Sequence, residues 1–401
     1  MATNNVNSKP DIKLENDFSL VQGGPLFQFF IRSRLSTGAM GWLKRRIIFF
    51  ALFTWLPLLM LSAASGKAIA GGVQVPFLCD LEVHVRFLVA LPLLLVTEWV
   101  VHRRLKPVVL QFIERDIIKP EIRPLFDACI ASALRLRNSL LMEITMVVLV
   151  LTLGHTLFFE QMTVNSTIWY ATRATSGYQL SPAGYWLAYV SLPLYQFILL
   201  RWVFRIIVWA WFLWSVSRLD LYLVPTHPDR AGGLGFLSQS AAAFIPFLLS
   251  QGALLSAMLG ERILYEGAVL MVFKLEIAVF TVFCLLLVLG PLIVFAPQLA
   301  KVKRAGLRAY GILASRYVGE FDKKWLQGGA TPDELLIGSS DIQSLADLNN
   351  SFDVIRSMQL LPFGKQTIIQ LAVVSLSPLL PLLLTMISLE DLLKRLIGIL
   401  L

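Results

Sequence analysis

The sequence predicts an all-α fold, a polytopic helical membrane protein of about seven spans with a helical cytoplasmic layer. Three observations carry that expectation. Hydrophobic residues occupy 56% of the 401 positions and charged residues only 15%, with a mean hydropathy of +0.69, which a soluble domain does not show. Seven apolar runs approach the roughly 20 residues that a spanning helix needs. Lysine and arginine, finally, gather in blocks that flank alternate runs, as membrane topology requires.

Taken in chain order, residues 1–24 are polar and poor in aromatics, and are expected to form a flexible cytoplasmic leader. PLFQFFIRSRL (Pro25–Leu35) reads as interfacial. Residues 25–401 are expected to form a single membrane domain, with runs at about 47–64, 85–101, 139–159, 185–205, 241–259, 275–296 and 366–387. The first run begins too far from Met1 for a cleavable signal, so it is expected to stay in the mature chain. Helical cytoplasmic insertions fall at about 106–138, 206–240 and 298–365.

Charge sets the orientation. WLKRR (Trp42–Arg46), HRRLK (His102–Lys106) and KVKR (Lys301–Arg304) lie on one side. Gly66–His84 and Glu160–Gly184, nearly free of lysine and arginine, lie on the other. By these boundaries 28 of the 35 Lys and Arg residues fall on the first side, which places the N-terminus in the cytoplasm and, with an odd span count, the C-terminus outside. The tail SLEDLLKRLIGILL (Ser388–Leu401) is amphipathic and suits an interface; a re-entrant last segment, with Pro378 and Pro381, is the alternative. The net charge of +9 is spread over these flanks and forms no single patch, so no nucleic acid is expected as partner. Membrane lipid, a second copy of the chain and a cytoplasmic protein are the partners this organisation suits.

Cys79, Cys129 and Cys284 are far apart and lack histidine neighbours at ligand spacing, so neither disulfide, metal site nor cofactor is expected. No fixed-period or inverted repeat is visible, which weighs against many transporter architectures.

Block 298–365 reads as a helix extending the sixth span. A second helix follows QGGATPDE, where Thr331 and Pro332 suit a helix start. Ser340 and Gln343 stand at capping-box spacing, and Leu345, Leu348, Phe352 and Ile355 form a stripe. A stripe this short suits packing under the protein's own membrane domain, with a docking seam as the alternative. IIVWAWFLWSV is expected to carry the fourth helix beyond the membrane, with Trp209, Trp211 and Trp214 covered by the cytoplasmic layer.

Two constellations are candidate sites. Glu98, Glu143, Arg201 and Arg205 fall inside apolar runs at similar depth, where each charge costs about 2.5–3.5 kcal/mol at mid-helix and asks for a partner or a wet cavity. They suit a polar vestibule or gate, or else a structural ion pair with snorkelling arginines. The second is the loop THPDRAGGLGFL (Thr226–Leu237). Pro225 and Pro228 forbid a helix there, so the fourth helix is expected to end near Leu223. His227, Asp229, Arg230, Gly232, Gly233 and Gly235 suit either a structured turn or an anion-binding loop at a helix entrance. G-G-x-G lacks both the Walker lysine and the preceding strand of a dinucleotide fingerprint.

THPDRAGGLGFL, with FDKKW (Phe321–Trp325) and SSDIQSLADL (Ser339–Leu348), resembles a family of bacterial multi-pass membrane proteins with no assigned activity. The likeness runs from about the fourth span onward and implies a bacterial inner membrane; it carries no functional residues across. His227-Pro228-Asp229 also resembles the tripeptide of J-domain co-chaperones, but there it joins two soluble helices, whereas here its flanks are apolar. The leading functional expectation is a channel or transporter for a small solute or ion. A non-transporting scaffold or signalling subunit stands second. A membrane enzyme stands third, with His227 and Asp229 its one compact acid–base pair.

Overall fold

Apolar length and helix-breaking residues decide where each helix begins and ends. In the computed structural model, which describes residues 18–21, 23, 43–69, 72–162, 168–174, 177–331 and 339–385, helix α1 (Leu43–Ala64) is followed by α2 (Leu81–Glu114). Then come α3 (Arg123–Arg137) and α4 (Leu140–Leu149), which a π turn joins to α5 (His155–Met162). A hairpin of β1 (Ala171–Ala174) and β2 (Gly177–Leu180) pairs antiparallel, Ala171 opposite Leu180. It is a small departure from the all-α expectation. The chain continues through α6 (Pro182–Val216), α7 (Ile245–Glu266) and α8 (Leu270–Ile293). It closes with α9 (Ala296–Phe321), α10 (Ser340–Arg356) and α11 (Lys365–Leu383).

Six of these helices, α1, α2, α6, α7, α8 and α11, are long and apolar enough to cross a membrane. A seventh crossing is reached if Pro120–Arg137 and Leu140–Gly154, bent by 41°, count as one span. Their outward faces are what water would reject: α8 exposes Leu275, Val279, Val282, Phe283 and Leu286 at helical spacing, a belt far beyond the patches of a soluble surface. The interior is aromatic, with Trp202, Trp209, Phe112, Phe126 and Phe212 all under 2% exposed.

Polar side chains inside the bundle satisfy main-chain carbonyls of neighbouring helices, as a water-poor interior demands. Trp202 Nε1 donates to the Leu94 carbonyl at 2.9 Å, Ser191 Oγ to Thr54 at 2.8 Å and Ser256 Oγ to Pro378 at 2.7 Å. Four of the helical rods contain a π turn among the described residues: Arg86–Ala90 in α2, Val150–Gly154 between α4 and α5, Leu187–Ser191 in α6, and Asp322–Leu326 at the end of α9. The register shift of a π turn frees a carbonyl, and Ser250 Oγ donates to that of Ala90 at 3.2 Å.

Helices α7 and α11 touch where α7 carries Gly252. A Cβ there would run into the Ser375 carbonyl oxygen, whereas one at Gly290 on α8 would meet nothing within 4 Å. Gly252→Val is therefore expected to cost about 1–3 kcal/mol through forced separation of the helices. Gly290→Ala should be neutral or slightly stabilising, since alanine is the better helix former. Thermal unfolding of the two purified variants checks the contrast.

Several boundaries differ from expectation. Helix α6 stops at Val216, not near Leu223, because Leu219, Leu221 and Leu223 face the core while Asp220 and Tyr222 are exposed. That alternation suits extended chain. Tyr222 N accordingly donates to the Ile117 carbonyl at 2.9 Å. Of the three tryptophans only Trp209 is covered; Trp211 and Trp214 are 43% and 41% exposed. Helix α9 does not continue α8: the chain breaks at Val294 and Phe295, with Pro297 in the first turn of α9. Ser339, not Ser340, caps α10, accepting from Asp341 N at 3.1 Å. Leu345, Leu348, Phe352 and Ile355 are the inward residues of α10, which packs along α9.

Within the leader, Phe18, Leu20 and Val21 are buried, Phe18 against Phe212 at 4.9 Å between ring centroids, so that stretch is part of the core and not a free leader. Residues 1–17, 22 and 24, with Pro25–Leu35, the start at Pro332 and the tail Ser388–Leu401, lie outside the described residues.

Candidate functional site

At the end of the bundle that carries the basic blocks, the candidate charges come together only in part. Glu98 on α2 is 5% exposed and Arg205 on α6 is 3% exposed; Arg205 Nη1 donates to Glu98 Oε1 at 2.8 Å. The second Glu98 oxygen accepts from Arg46 Nη2 at 2.7 Å, on the first turn of α1. One carboxylate therefore ties three helices, and each of its oxygens meets a guanidinium, the strong, charge-assisted kind of hydrogen bond. Arg205 also stacks 4.8 Å from the Trp202 ring. Arg201 and Glu143 are nearby, lining a cleft with Arg205 and Arg137, but neither is among the ion-paired described residues.

Sequence reading missed Arg46 and Arg137. Both sit in basic blocks that look like membrane flanks. The available signal for Arg46 was position: it directly precedes IIFFALF, so it begins the apolar helix instead of standing before it.

Around Thr226–Leu237 a single side chain organises the backbone. The Asp229 carboxylate accepts from Ala231 N at 2.8 Å and Gly233 N at 3.1 Å through Oδ1, and from Gly235 N at 2.8 Å through Oδ2. Burial alone would push this carboxyl up; the backbone N–H groups of Ala231, Gly235 and Gly233 outweigh it and hold the group below its ordinary value. Gly232 and Gly233 have φ of 65° and 99°, and Arg230 shares the left-handed region at 54°. The amides that would meet an external anion thus already have an acceptor inside the loop. His227 Nδ1 lies 2.8 Å from Asp229 Oδ1, so the acid–base pair is engaged in holding the turn. The loop is clamped from outside as well: Gln359 N donates to the Arg230 carbonyl at 2.7 Å, and Gln298 Nε2 to the Ser217 carbonyl at 2.7 Å.

The opposite end holds a feature that sequence reading did not single out. A cleft of about 600 Å³ runs between α2, α7 and the stretch Ile168–Tyr170 that leads into the hairpin, and its lining includes Asp80, Glu82, Arg86, Glu261, Arg262 and Glu266. Asp80 caps α2 by accepting from Val83 N at 2.8 Å and holds Trp169 Nε1 at 2.8 Å. Glu261 Oε1 accepts from Glu82 N at 2.8 Å, and Glu82 pairs with Arg86. His155 packs on the rings of Phe159 and Tyr189, at 4.5 and 5.1 Å. Arg262 makes an exposed pair with Glu276 at 3.6 Å. Among the described residues no group of three or more His, Cys, Asp or Glu is placed to hold a metal ion, and all three cysteines are free.

Comparison with family models, curated proteins and solved structures gave no match. The class that the fold itself defines is a predominantly helical protein with six or seven helices long and apolar enough to span a membrane.

Proposed function

We propose that this chain is a multi-pass protein of a bacterial inner membrane that moves a small solute or ion across it. Its N-terminus and the α9–α10 side lie in the cytoplasm. The observation that carries the transport reading is the polar cleft at the hairpin end. Four carboxylates and two guanidiniums line a volume of about 600 Å³, large enough for a hydrated ion or a small metabolite, at the ends of membrane-length helices. Two of the π turns reach it, through Arg86 and Leu187. Another, Val150–Gly154, faces α6 across a neighbouring pocket lined by Val150, Gly154, Ala188 and Tyr189. Helices interrupted in this way supply backbone groups and mobility where a solute passes. The excess of carboxylates makes cations the first probes.

Purified protein in liposomes should pass potassium or protons faster than protein-free liposomes do, with Glu261→Gln reducing the flux. Rates equal to the protein-free control for cations, anions and neutral solutes alike would remove transport from consideration. Orientation has its own test: in a cysteine-free background, a cysteine at Thr172 should react with an impermeant thiol reagent from outside intact cells, and one at Arg316 should not. Equal labelling of both would contradict the proposed topology.

A second reading, a scaffold or signalling subunit docking a cytoplasmic protein, draws support from Ile312, Leu313 and Val318 on α9 and Ile342 on α10, all exposed. The bacterial setting rests on the resemblance carried by THPDRAGGLGFL, FDKKW and SSDIQSLADL together with the distribution of basic residues.

A further inference from the structure

Helix α2 divides its faces sharply near the end that carries the basic blocks. Glu98, Val101, Leu105 and Val108 recur at three- and four-residue spacings and are buried. That inward stripe turns Trp99, Arg103 and Pro107, each four residues after the last, to the outside, with Val100 and Arg104 alongside. Trp99 is 41% exposed, and both arginines are exposed.

Against this face stands the short helical stretch Ser238–Ala242 that leads into α7, and between the two lies a cleft of about 540 Å³. That volume is in the range of small-molecule sites and takes a phosphate group with room to spare. No carboxylate is among its lining residues. Arg103 rests on the Trp99 ring at 5.4 Å, and neither Arg103 nor Arg104 belongs to an ion pair among the described residues. Gln239 adds an amide donor on the opposite wall. Val100, Pro107 and Ala242 make the rest of the lining apolar.

Depth decides what such a cleft meets. At about 1.5 Å per residue, Trp99 stands about 27 Å along the helix axis from Leu81, and Arg104 about 35 Å. The hydrocarbon core of a bilayer is about 30 Å thick. With Leu81 at one edge of that core, Trp99 reaches the other edge, where tryptophan is enriched, and the two guanidiniums stand at the level of lipid phosphates.

We propose that this cleft holds the headgroup of an anionic phospholipid, with Arg103 and Arg104 as the ligands of its phosphate. The planar fork of a guanidinium matches phosphate oxygens bidentately, and basic pockets between membrane helices are recurring headgroup sites. Soluble phosphate offers the same anion. Depth and the apolar remainder of the lining, which suits the first carbons of acyl chains, favour the lipid. Two cations and no carboxylate on the walls select a headgroup of net negative charge over a zwitterionic one. The inference rests on α2 crossing a bilayer and not on the transport reading: a protein that moves no solute would hold the lipid all the same.

The test uses the full-length purified protein in neutral detergent. Thermal unfolding is followed against added phosphatidylglycerol, against phosphatidylcholine, and against inorganic phosphate with chloride at matched ionic strength. Phosphatidylglycerol should raise the unfolding temperature more than phosphatidylcholine does. The double variant Arg103→Gln/Arg104→Gln should need about tenfold or more phosphatidylglycerol for the same shift. Arg308→Gln/Arg316→Gln, which removes as much charge from exposed positions of α9, should respond as the wild type does. Equal shifts with the two lipids, or an undiminished response in the first double variant, overturn the proposal. So does an equal loss in both double variants, the mark of diffuse attraction to a basic surface. A shift by inorganic phosphate that matches that of phosphatidylglycerol, and disappears with Arg103 and Arg104, overturns it in favour of a soluble anion. Should the first double variant not fold, Arg103→Gln and Arg104→Gln singly take its place, and a full response in both overturns the proposal equally.

Discussion

Glutamine at position 98 is expected to cost about 3–5 kcal/mol of stability, the range for breaking a buried pair by removing one partner. Glu98 is the common acceptor of Arg46 at 2.7 Å and Arg205 at 2.8 Å, so its neutralisation removes the carboxylate that both buried guanidiniums share. Arg205→Met should be milder, because Glu98 then keeps Arg46. The double variant Glu98→Met/Arg205→Met should recover part of the loss of Glu98→Gln, because it removes the pair together. Yield of monodisperse protein and unfolding temperature in one detergent rank the three. Arg205→Met as damaging as Glu98→Gln would mean that packing around Trp202, and not charge balance, governs this region.

Asp229→Asn is the second large effect. Asparagine keeps one acceptor oxygen but turns the other into an amide donor, which then points at the Gly235 N–H that Asp229 Oδ2 accepts at 2.8 Å. The loss of charge-assisted hydrogen bonds to three amides is expected to cost about 1.5–3 kcal/mol. Amide exchange at Gly233 and Gly235 should accelerate well beyond that of α6. The pH dependence follows from the depressed pKa of Asp229. A carboxyl held below its ordinary value stabilises the fold fully above that ordinary value, and the contribution is lost as pH falls through the depressed one. The loop should therefore hold across neutral pH and loosen on acidification, and the Asn variant should lack this acid step. An Asn variant with unchanged exchange and the same acid transition would show that the glycines alone set the turn.

The membrane-length helices were legible because their signal is length and apolarity, which need no partner to be read. The polar clusters were legible only to the extent that a charge inside an apolar run draws attention. Glu98, Arg201 and Arg205 qualified on that ground; Arg46 and Arg137, surrounded by other basic residues, did not. For Asp229 the sequence indicated a turn residue among glycines and prolines, and the structure adds how many amides it serves. Asp80 and Glu261 belong to cleft walls 181 residues apart, a proximity that no local pattern encodes.

By itself, then, the sequence determined the helical character of this protein, the approximate position of each membrane-length helix and the need for a break at Thr226–Asp229. All of these follow from hydropathy, periodicity and proline geometry acting over short stretches of chain. Tertiary structure alone decided which guanidiniums share Glu98, that α6 gives way to extended chain at Val216, and that a polar cleft opens beside the hairpin. Each of those depends on which helix faces which. That choice is made by side-chain fit and charge balance across the bundle, between residues that the chain order keeps far apart.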